Sequence, residues 1–378
     1  MFFMKNIILK LTNYVKLLVL ILFFSILFDL AFNFILAEKF KKKIGISLNY
    51  SLFSEKYHHE IAPNIAVNEF WGNKNIKIYT DKNSLRILKN QKVFYETSEN
   101  NIAFVGDSFV WGSGINYEDH FINQLNSNYN FLNLGYISYS PSIYYKKIEN
   151  LLVDKNITIK NLFLFLDTTD VWDEGLAYRE DINGNIVNNF KTNEENKKKI
   201  KKYLFKNYLK QNSFLYKFYE IYFRSIFRRS DDVKKCLNDK EDNFSKYLSW
   251  ERLSYSYDRD LLNSPWVKKG KRKSIYYLDK IAKISKEKNV KLTLVLYPSA
   301  IEILKQIPEN ESLHMSFFRN WAKNNSIDYL NFYKILNKHP SGLKNYKEFF
   351  ILCDIHWNEN AHKVIGSAIN THLANSKF

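Results

Sequence analysis

Cysteine, proline and glycine are all scarce in this 378-residue chain, at two, six and eleven residues. The two cysteines, Cys236 and Cys353, stand far apart and outside any C-x-x-C arrangement. That excludes a zinc site of the finger type and indicates no disulfide framework. Whether the two pair depends on the fold; taken alone, Cys353 reads as a small core residue. The metalloprotease spacing H-E-x-x-H is also missing: His58 and His59 are followed by Glu60, neighbours point to different faces, and the pair reads as surface histidines. Acidic residues are in deficit, 39 against 56 Lys and Arg, leaving a formal charge of +17. Such a field attracts nucleic acid, anionic headgroups and acidic polysaccharide alike. No nucleic-acid-binding module accompanies it and the basic residues are spread along the chain, so nucleic acid is not expected as a partner. Internal repeats are absent. The richness in Lys, Asn, Ile, Phe and Tyr marks a biased composition, in which no single Lys or Asn carries weight.

What is present begins with an apolar run. Leu17 to Leu36 reads LLVLILFFSILFDLAFNFIL, broken only by Ser25, Asp29 and Asn33, and about 20 helical residues suffice to cross a bilayer core. The run is long for a cleaved signal peptide, and Ile35 to Lys39 makes a poor cleavage site, so residues 1–43 read as a retained transmembrane anchor with its flanks. Lys5, Lys10 and Lys16 before the helix nearly balance Lys39, Lys41, Lys42 and Lys43 after it, so charge does not orient it. Asp29 marks either a helix partner or a position near the interface. Residues 44–100 are mixed and polar and read as a juxtamembrane stalk with an irregular lead-in.

From Asn101 the pattern turns to α/β. Short apolar runs at 102–105, 131–134, 162–166, 292–296 and 327–330 alternate with helical stretches, the signature of a parallel sheet flanked by helices. Ile275, Leu278, Ala282 and Ser285 fall at helical spacing just before the fourth run. A stretch at about 175–273 breaks the alternation. Its lysine-rich, aromatic part reads as an amphipathic helix with Leu204, Tyr208, Leu215, Tyr219, Tyr222 and Ile226 inward. It serves either as core packing, as a lid over a pocket, or as a surface resting on a membrane.

The chemistry concentrates in four places. Phe104-Val105-Gly106-Asp107-Ser108-Phe109 runs from a buried strand through a tight turn into a helix, which exposes Ser108 where open α/β sheets bind ligands. The bland alternative for Ser108 is a helix cap. Asn133-Leu134-Gly135-Tyr136 ends the next strand, and Gly135 also suits a turn that needs positive φ. Asp167-Thr168-Thr169-Asp170 ends the third, and its carboxylates, with Asp173 and Glu174, lack the spacing of a calcium loop. Cys353-Asp354-Ile355-His356-Trp357-Asn358 lies near the C-terminus, followed by His362, which reads as a surface or capping histidine on the next helix. Asp354 and His356, two apart in an extended loop, project to the same side.

Gly-Asp-Ser-Phe followed by Trp111-Gly112-Ser113-Gly114, then the three later blocks in order, resembles the SGNH (GDSL) hydrolases, and the Asp-x-His-Trp-Asn run resembles the alginate O-acetyltransferase branch of that superfamily. The resemblance implies a flavodoxin-like three-layer αβα sandwich over 101–378. It implies Ser108 as nucleophile, His356 as base and Asp354 as its orienting acid. Ser108, Gly135 and Thr169, the last where the family has Asn, would form the oxyanion hole. It implies no cofactor and no metal, and a catalytic domain outside the cytoplasm. The expected activity is hydrolysis of an acyl ester on a cell-envelope glycan or a small ester; O-acetyl transfer to a polysaccharide and a non-catalytic glycan-binding or scaffold role remain alternatives. Envelope polysaccharide assembly proteins are the partners this would suit. Trp111, Tyr136, Tyr139 and Trp172 are candidates for stacking on sugars.

Overall fold

In the computed structural model the described residues are 13–29, 31, 51–71, 74–92, 94–126, 129–189, 213, 235–239, 244, 248, 251–340, 342 and 346–375. They belong to two compact units, Met1–Asn49 with Lys191–Ser230, and Tyr50–Phe190 with Asp231–Phe378. In the first, residues 13–29 are helical and the large apolar side chains from Leu17 to Phe28 are exposed. Among the described residues no helix is long and apolar enough to cross a membrane. The rest of the expected span to Leu36, and the amphipathic helix expected around Leu204 to Ile226, lie outside the described residues.

The second unit begins with strands where a stalk and irregular lead-in were expected. β1 (Ser51–Ser54) and β2 (His58–Ile61) form an antiparallel hairpin, and β3 (Ala66–Trp71), β4 (Lys74–Thr80) and β5 (Arg86–Ile87) form a three-stranded antiparallel sheet. The sequence supports this locally: in β4, Ile76, Ile78 and Thr80 are buried while Lys74 and Lys77 are exposed, the period-two alternation of a half-covered strand. The compact unit that carries the main sheet starts at Tyr50 and includes these strands.

The main sheet follows. β6 (Asn101–Val105), β7 (Asn130–Asn133) and β8 (Asn161–Leu166) come first. A short hairpin, β9 (Tyr178–Glu180) and β10 (Ile186–Asn188), then stands within the stretch expected to be a helical insertion. β11 (Lys291–Leu296) and β12 (Asp328–Asn331) complete the sheet. The order is β7-β6-β8-β11-β12 and every pairing is parallel. All residues of β6 and β8 are buried, as continuous apolar runs in the middle of a parallel sheet should be. Each of the five strands lies within one residue of its expected run. The switch in strand order falls between β6 and β8, so their C-terminal ends open a crevice.

Six helices matter for the site: α1 (Ser108–Trp111), α2 (Pro141–Glu149), α3 (Pro265–Glu287), α4 (Leu313–Asn324), α5 (Phe332–Asn337) and α6 (Glu359–Asn375). α2 and α3 both start on proline, which suits a first helical turn. α3 begins inside the expected insertion and buries Val267, Ser274, Tyr277, Leu278, Ile281 and Ile284 at helical spacing. It packs on α2, while α5 packs on α6. Two helix groups around one parallel sheet make this an α/β fold that fits a three-layer sandwich.

The two cysteines are joined. Cys236 and Cys353 form a disulfide with Cα atoms 6.0 Å apart, where no disulfide framework was expected. The pairing was hidden because it arises only when the segment after 230 crosses to the C-terminal loop. It closes a loop across a sequence separation of 117, for which chain entropy predicts a stabilisation of about 4–5 kcal/mol. Reduction, or the paired Cys236→Ala and Cys353→Ala change, is therefore expected to lower the thermal midpoint by on the order of 10 °C, read by differential scanning calorimetry. An unchanged midpoint would show that the bridge contributes nothing to the fold.

Candidate active site

The strand β6 ends at Gly106, where any Cβ would lie 2.5 Å from Val110 Cγ2. Asp107 is the N-cap: its Oδ1 accepts from the Phe109 N–H at 3.0 Å, which leaves Ser108 as the first helical residue rather than the cap. α1 is a single turn, closed by Gly112 at φ 79° and continued by Gly114 at φ 83°, both in the left-handed region that favours glycine. Beneath it the buried Arg86 donates to the carbonyls of Trp111 (2.6 Å), Gly112 (2.7 Å) and Ile115 (2.8 Å). Its guanidinium lies over Trp111 and Tyr117, 5.0 and 5.1 Å from their centroids. A cation on the last carbonyls of a helix is favourable, and here it fixes the loop behind the serine.

The structure brings Ser108, His356 and Asp354 into one line. His356 Nε2 is 2.9 Å from Ser108 Oγ, and His356 Nδ1 is 2.5 Å from Asp354 Oδ1. Asp354 Oδ1 also accepts the His356 backbone N–H at 3.0 Å, and Oδ2 accepts the indole N–H of Trp71 at 3.0 Å. Burial alone would raise the Asp354 carboxyl, but His356 and these hydrogen bonds outweigh it and hold it below the usual carboxylate range. Each residue of the motif has a task. Cys353 sits at φ 59° and carries the disulfide. Trp357 is buried against Phe109, Tyr297 and His362, with ring centroids at 4.8, 4.6 and 5.8 Å. Asn358 Oδ1 caps the following helix by accepting from Ala361 N at 3.1 Å. The Tyr346 hydroxyl stands within hydrogen-bond reach of the carbonyls of Ile351 (2.7 Å) and Asp354, which share its one proton, and accepts from Asp354 N (3.0 Å). Ser108 and His356 keep only 7% and 9% of their surface, so both are largely covered.

The other expected oxyanion donors are differently engaged. The Gly135 N–H donates to Asn133 Oδ1 at 3.0 Å. Gly135 does not have positive φ; it is needed for close approach, because a Cβ there would lie 2.6 Å from Val110 Cβ and 2.7 Å from Trp111 N. Thr169 is engaged with its neighbour: both its hydroxyl and its N–H (3.0 Å) donate to Asp167 Oδ2 and brace a turn. The carboxylates around it are held by protein donors: Asp170 accepts from Asp167 N at 2.9 Å and from the Tyr144 hydroxyl at 2.9 Å, and Glu174 accepts from Ser140 Oγ at 2.6 Å and pairs with Lys273 at 2.8 Å. Burial, and then the charge of Asp167, pushes Asp107 and Asp170 well above the usual carboxylate range.

Several side chains stand elsewhere than expected. Trp111, Tyr136 and Tyr139 are buried, which removes them as sugar-stacking surfaces, while Trp172 is half-buried. His59 is half-buried, its Nε2 2.6 Å from Ile137 O, and not on the surface. His362 is buried and stacked on Phe121, its Nδ1 accepting from Phe121 N at 3.2 Å, because α6 turns that face to the core. Sequence reasoning missed Trp71 and Arg86 outright. The alternation in β4 could have flagged the sheet that carries them, but nothing in one sequence marks those two side chains.

No family model matches the chain, and no curated protein does. Solved structures similar to it include a lipolytic protein of the G-D-S-L family from Veillonella parvula DSM 2008, at 12% identity and TM-score 0.38, covering 73% of this chain and 99% of that one. A GDSL-like lipase from Bacteroides thetaiotaomicron VPI-5482 matches at 10% identity and TM-score 0.36, over 73% and 88%. The psychrotrophic esterase EstA from Pseudoalteromonas sp. matches at 11% and 0.36, over 73% and 100%. Likeness at this level carries no weight for activity, which rests on the geometry of the three side chains.

The buried histidines set a pH dependence. Burial lowers His314 to about 4 and His362 to about 3, against about 6.5 in an unfolded chain. Below 6.5 the unfolded state binds the extra protons, so these groups subtract stability as pH falls from 6.5 toward 4 and 3. Urea midpoints measured at pH 7, 6 and 5 are expected to fall less steeply in His362→Gln than in the wild type; equal slopes would contradict the burial-driven shift.

Proposed function

We propose that the chain is a serine-dependent acyl-transfer enzyme, working as an esterase on an acylated cell-envelope glycan or a related ester. The observation that carries this reading is the unbroken line from Ser108 Oγ through His356 to Asp354, at 2.9 and 2.5 Å. Ser108 Oγ attacks the ester carbonyl while its proton passes to His356 Nε2, and Asp354 stabilises the imidazolium through Nδ1. The tetrahedral intermediate expels the alcohol, which leaves with the proton from His356. Water then attacks the acyl-enzyme, giving its proton to His356, and the acid departs as Ser108 recovers its own. The oxyanion is assigned to the backbone N–H of Ser108 and to that of Gly135, the latter shared with Asn133. Thr169 is given no part in it.

Transfer of the acyl group to a sugar hydroxyl uses the same steps with a different second nucleophile; the Asp-x-His spacing favours keeping it as the second reading. The scaffold alternative rested on the loss of the family's Asn at Thr169, and that position now has a task of its own beside Asp167. The same proposal places the domain outside the cytoplasm on a membrane anchor. Two features support it: a disulfide, which persists in oxidising compartments, and a helix at 13–29 whose apolar side chains are exposed. Polysaccharide assembly proteins are the partners consistent with that location.

Turnover of p-nitrophenyl acetate by the full chain tests the reading. Ser108→Ala and His356→Ala are each expected to reduce it by at least about 10³-fold. Acetyl found on an added oligosaccharide would assign the transferase, and acetate alone the esterase. Wild-type turnover equal to that of both variants in folded protein would sink the enzymatic reading.

A further inference from the structure

The line of three side chains has a fourth contact that comes from far away in the chain. We propose that Trp71 is a positioning residue of this site: its indole N–H, delivered by the antiparallel sheet that precedes the nucleophile, fixes the Asp354 carboxylate so that the opposite oxygen serves His356. The inference rests on the serine acyl-transfer reading and adds a residue to it.

Asp354 has two oxygens and they are divided: Oδ1 faces His356, through Nδ1 at 2.5 Å and the backbone N–H at 3.0 Å, and Oδ2 faces Trp71 Nε1 at 3.0 Å across a sequence separation of 283. A carboxylate on so short a spacing from its histidine would otherwise rotate about its own side-chain torsions; an N–H on the outer oxygen removes that freedom. The indole also stands edge-on to the imidazole, with centroids 5.3 Å apart and planes at 83°, so one side chain sets both partners. Phe109 walls the imidazole at 5.3 Å. Space for the indole is reserved: a Cβ on Gly114 would fall 2.9 Å from Trp71 Cδ1 and Nε1, and Gly114 has the positive φ that disfavours any such atom. The glycine after the nucleophile and the strand before it are thus fitted to each other, which neither a core tryptophan nor a turn glycine requires.

Trp71→Phe keeps an aromatic wall and deletes the N–H. Trp71→His restores a ring N–H at the same position of a five-membered ring. In the full chain, kcat for p-nitrophenyl acetate and the rate of Ser108 labelling by a fluorophosphonate are expected to fall about tenfold in W71F, with KM within about twofold, and to recover at least in part in W71H. The downfield proton resonance of His356 Nδ1–H, which reads the Asp354 contact independently of turnover, is expected to shift or broaden in W71F at an unchanged melting temperature. A wild type without Ser108-dependent labelling would overturn the serine reading itself. Labelling in the wild type, with rate, kcat and resonance all unchanged in W71F, would overturn the role of Trp71 alone. Should W71F fail to fold, W71H is compared with the wild type directly, and a resonance that broadens away in folded W71H with unchanged kcat would equally refute it.

Discussion

The site depends on one bend of backbone. Asp354 and His356 are separated by a single residue, and for the carboxylate to reach the imidazole Nδ1 the chain must curl so tightly that the Asp354 oxygen accepts the histidine's backbone N–H as well as its ring N–H. A curl of this kind has little to hold it internally. It is held from outside instead, by the Tyr346 hydroxyl bridging Ile351 and Asp354, by the bridge to Cys236, by Trp357 sunk into the core and by the cap that Asn358 places on α6. Cys353 lies in the left-handed region, a conformation that costs about a kilocalorie or more for a residue with a side chain. The anchors on either side are what keep it there.

The Ser108 side answers with the same logic. A four-residue helix has almost no cooperativity of its own, and α1 survives because Asp107 caps one end and Arg86 occupies the carbonyls at the other. Arg86 is buried, and a buried charge is tolerated only when its hydrogen bonds are met. Here three carbonyls accept from its two terminal nitrogens, and two aromatic rings lie against the guanidinium. Both Arg86 and Trp71 come from the strands at 66–87, so the segment before the sheet holds the serine loop from below and the acid loop from the side.

The parts of this arrangement that obey a local period were legible in the sequence. The five strands of the parallel sheet stood out because buried strands are continuous apolar runs, and the Ser108 turn stood out because a strand, a glycine and a helix start place one serine at the end of the sheet. The Asp354–His356 pair was legible as a spacing, though not as a geometry. What escaped was everything set by contacts across hundreds of residues. The pairing of Cys236 with Cys353, the inward face of His362 and the indole on Asp354 carry no local signal. Thr169 stands in the expected block, and its hydroxyl, two residues from Asp167, donates to that carboxylate, a local bond that the spacing alone did not announce. The strands of the lead-in were readable from the Ile76–Ile78 alternation and were lost among lysines and asparagines that the composition supplies everywhere.

The line from Ser108 to His356 spans a sequence separation of 248, and the contact from Trp71 to Asp354 spans 283. During synthesis the serine turn and its flanking strands emerge well before the loop that carries Asp354 and His356. Over that interval Ser108 has no imidazole beside it and is chemically an ordinary alcohol. Contacts this distant are made late in folding, so the line of three side chains is assembled only when the Asp354–His356 loop docks.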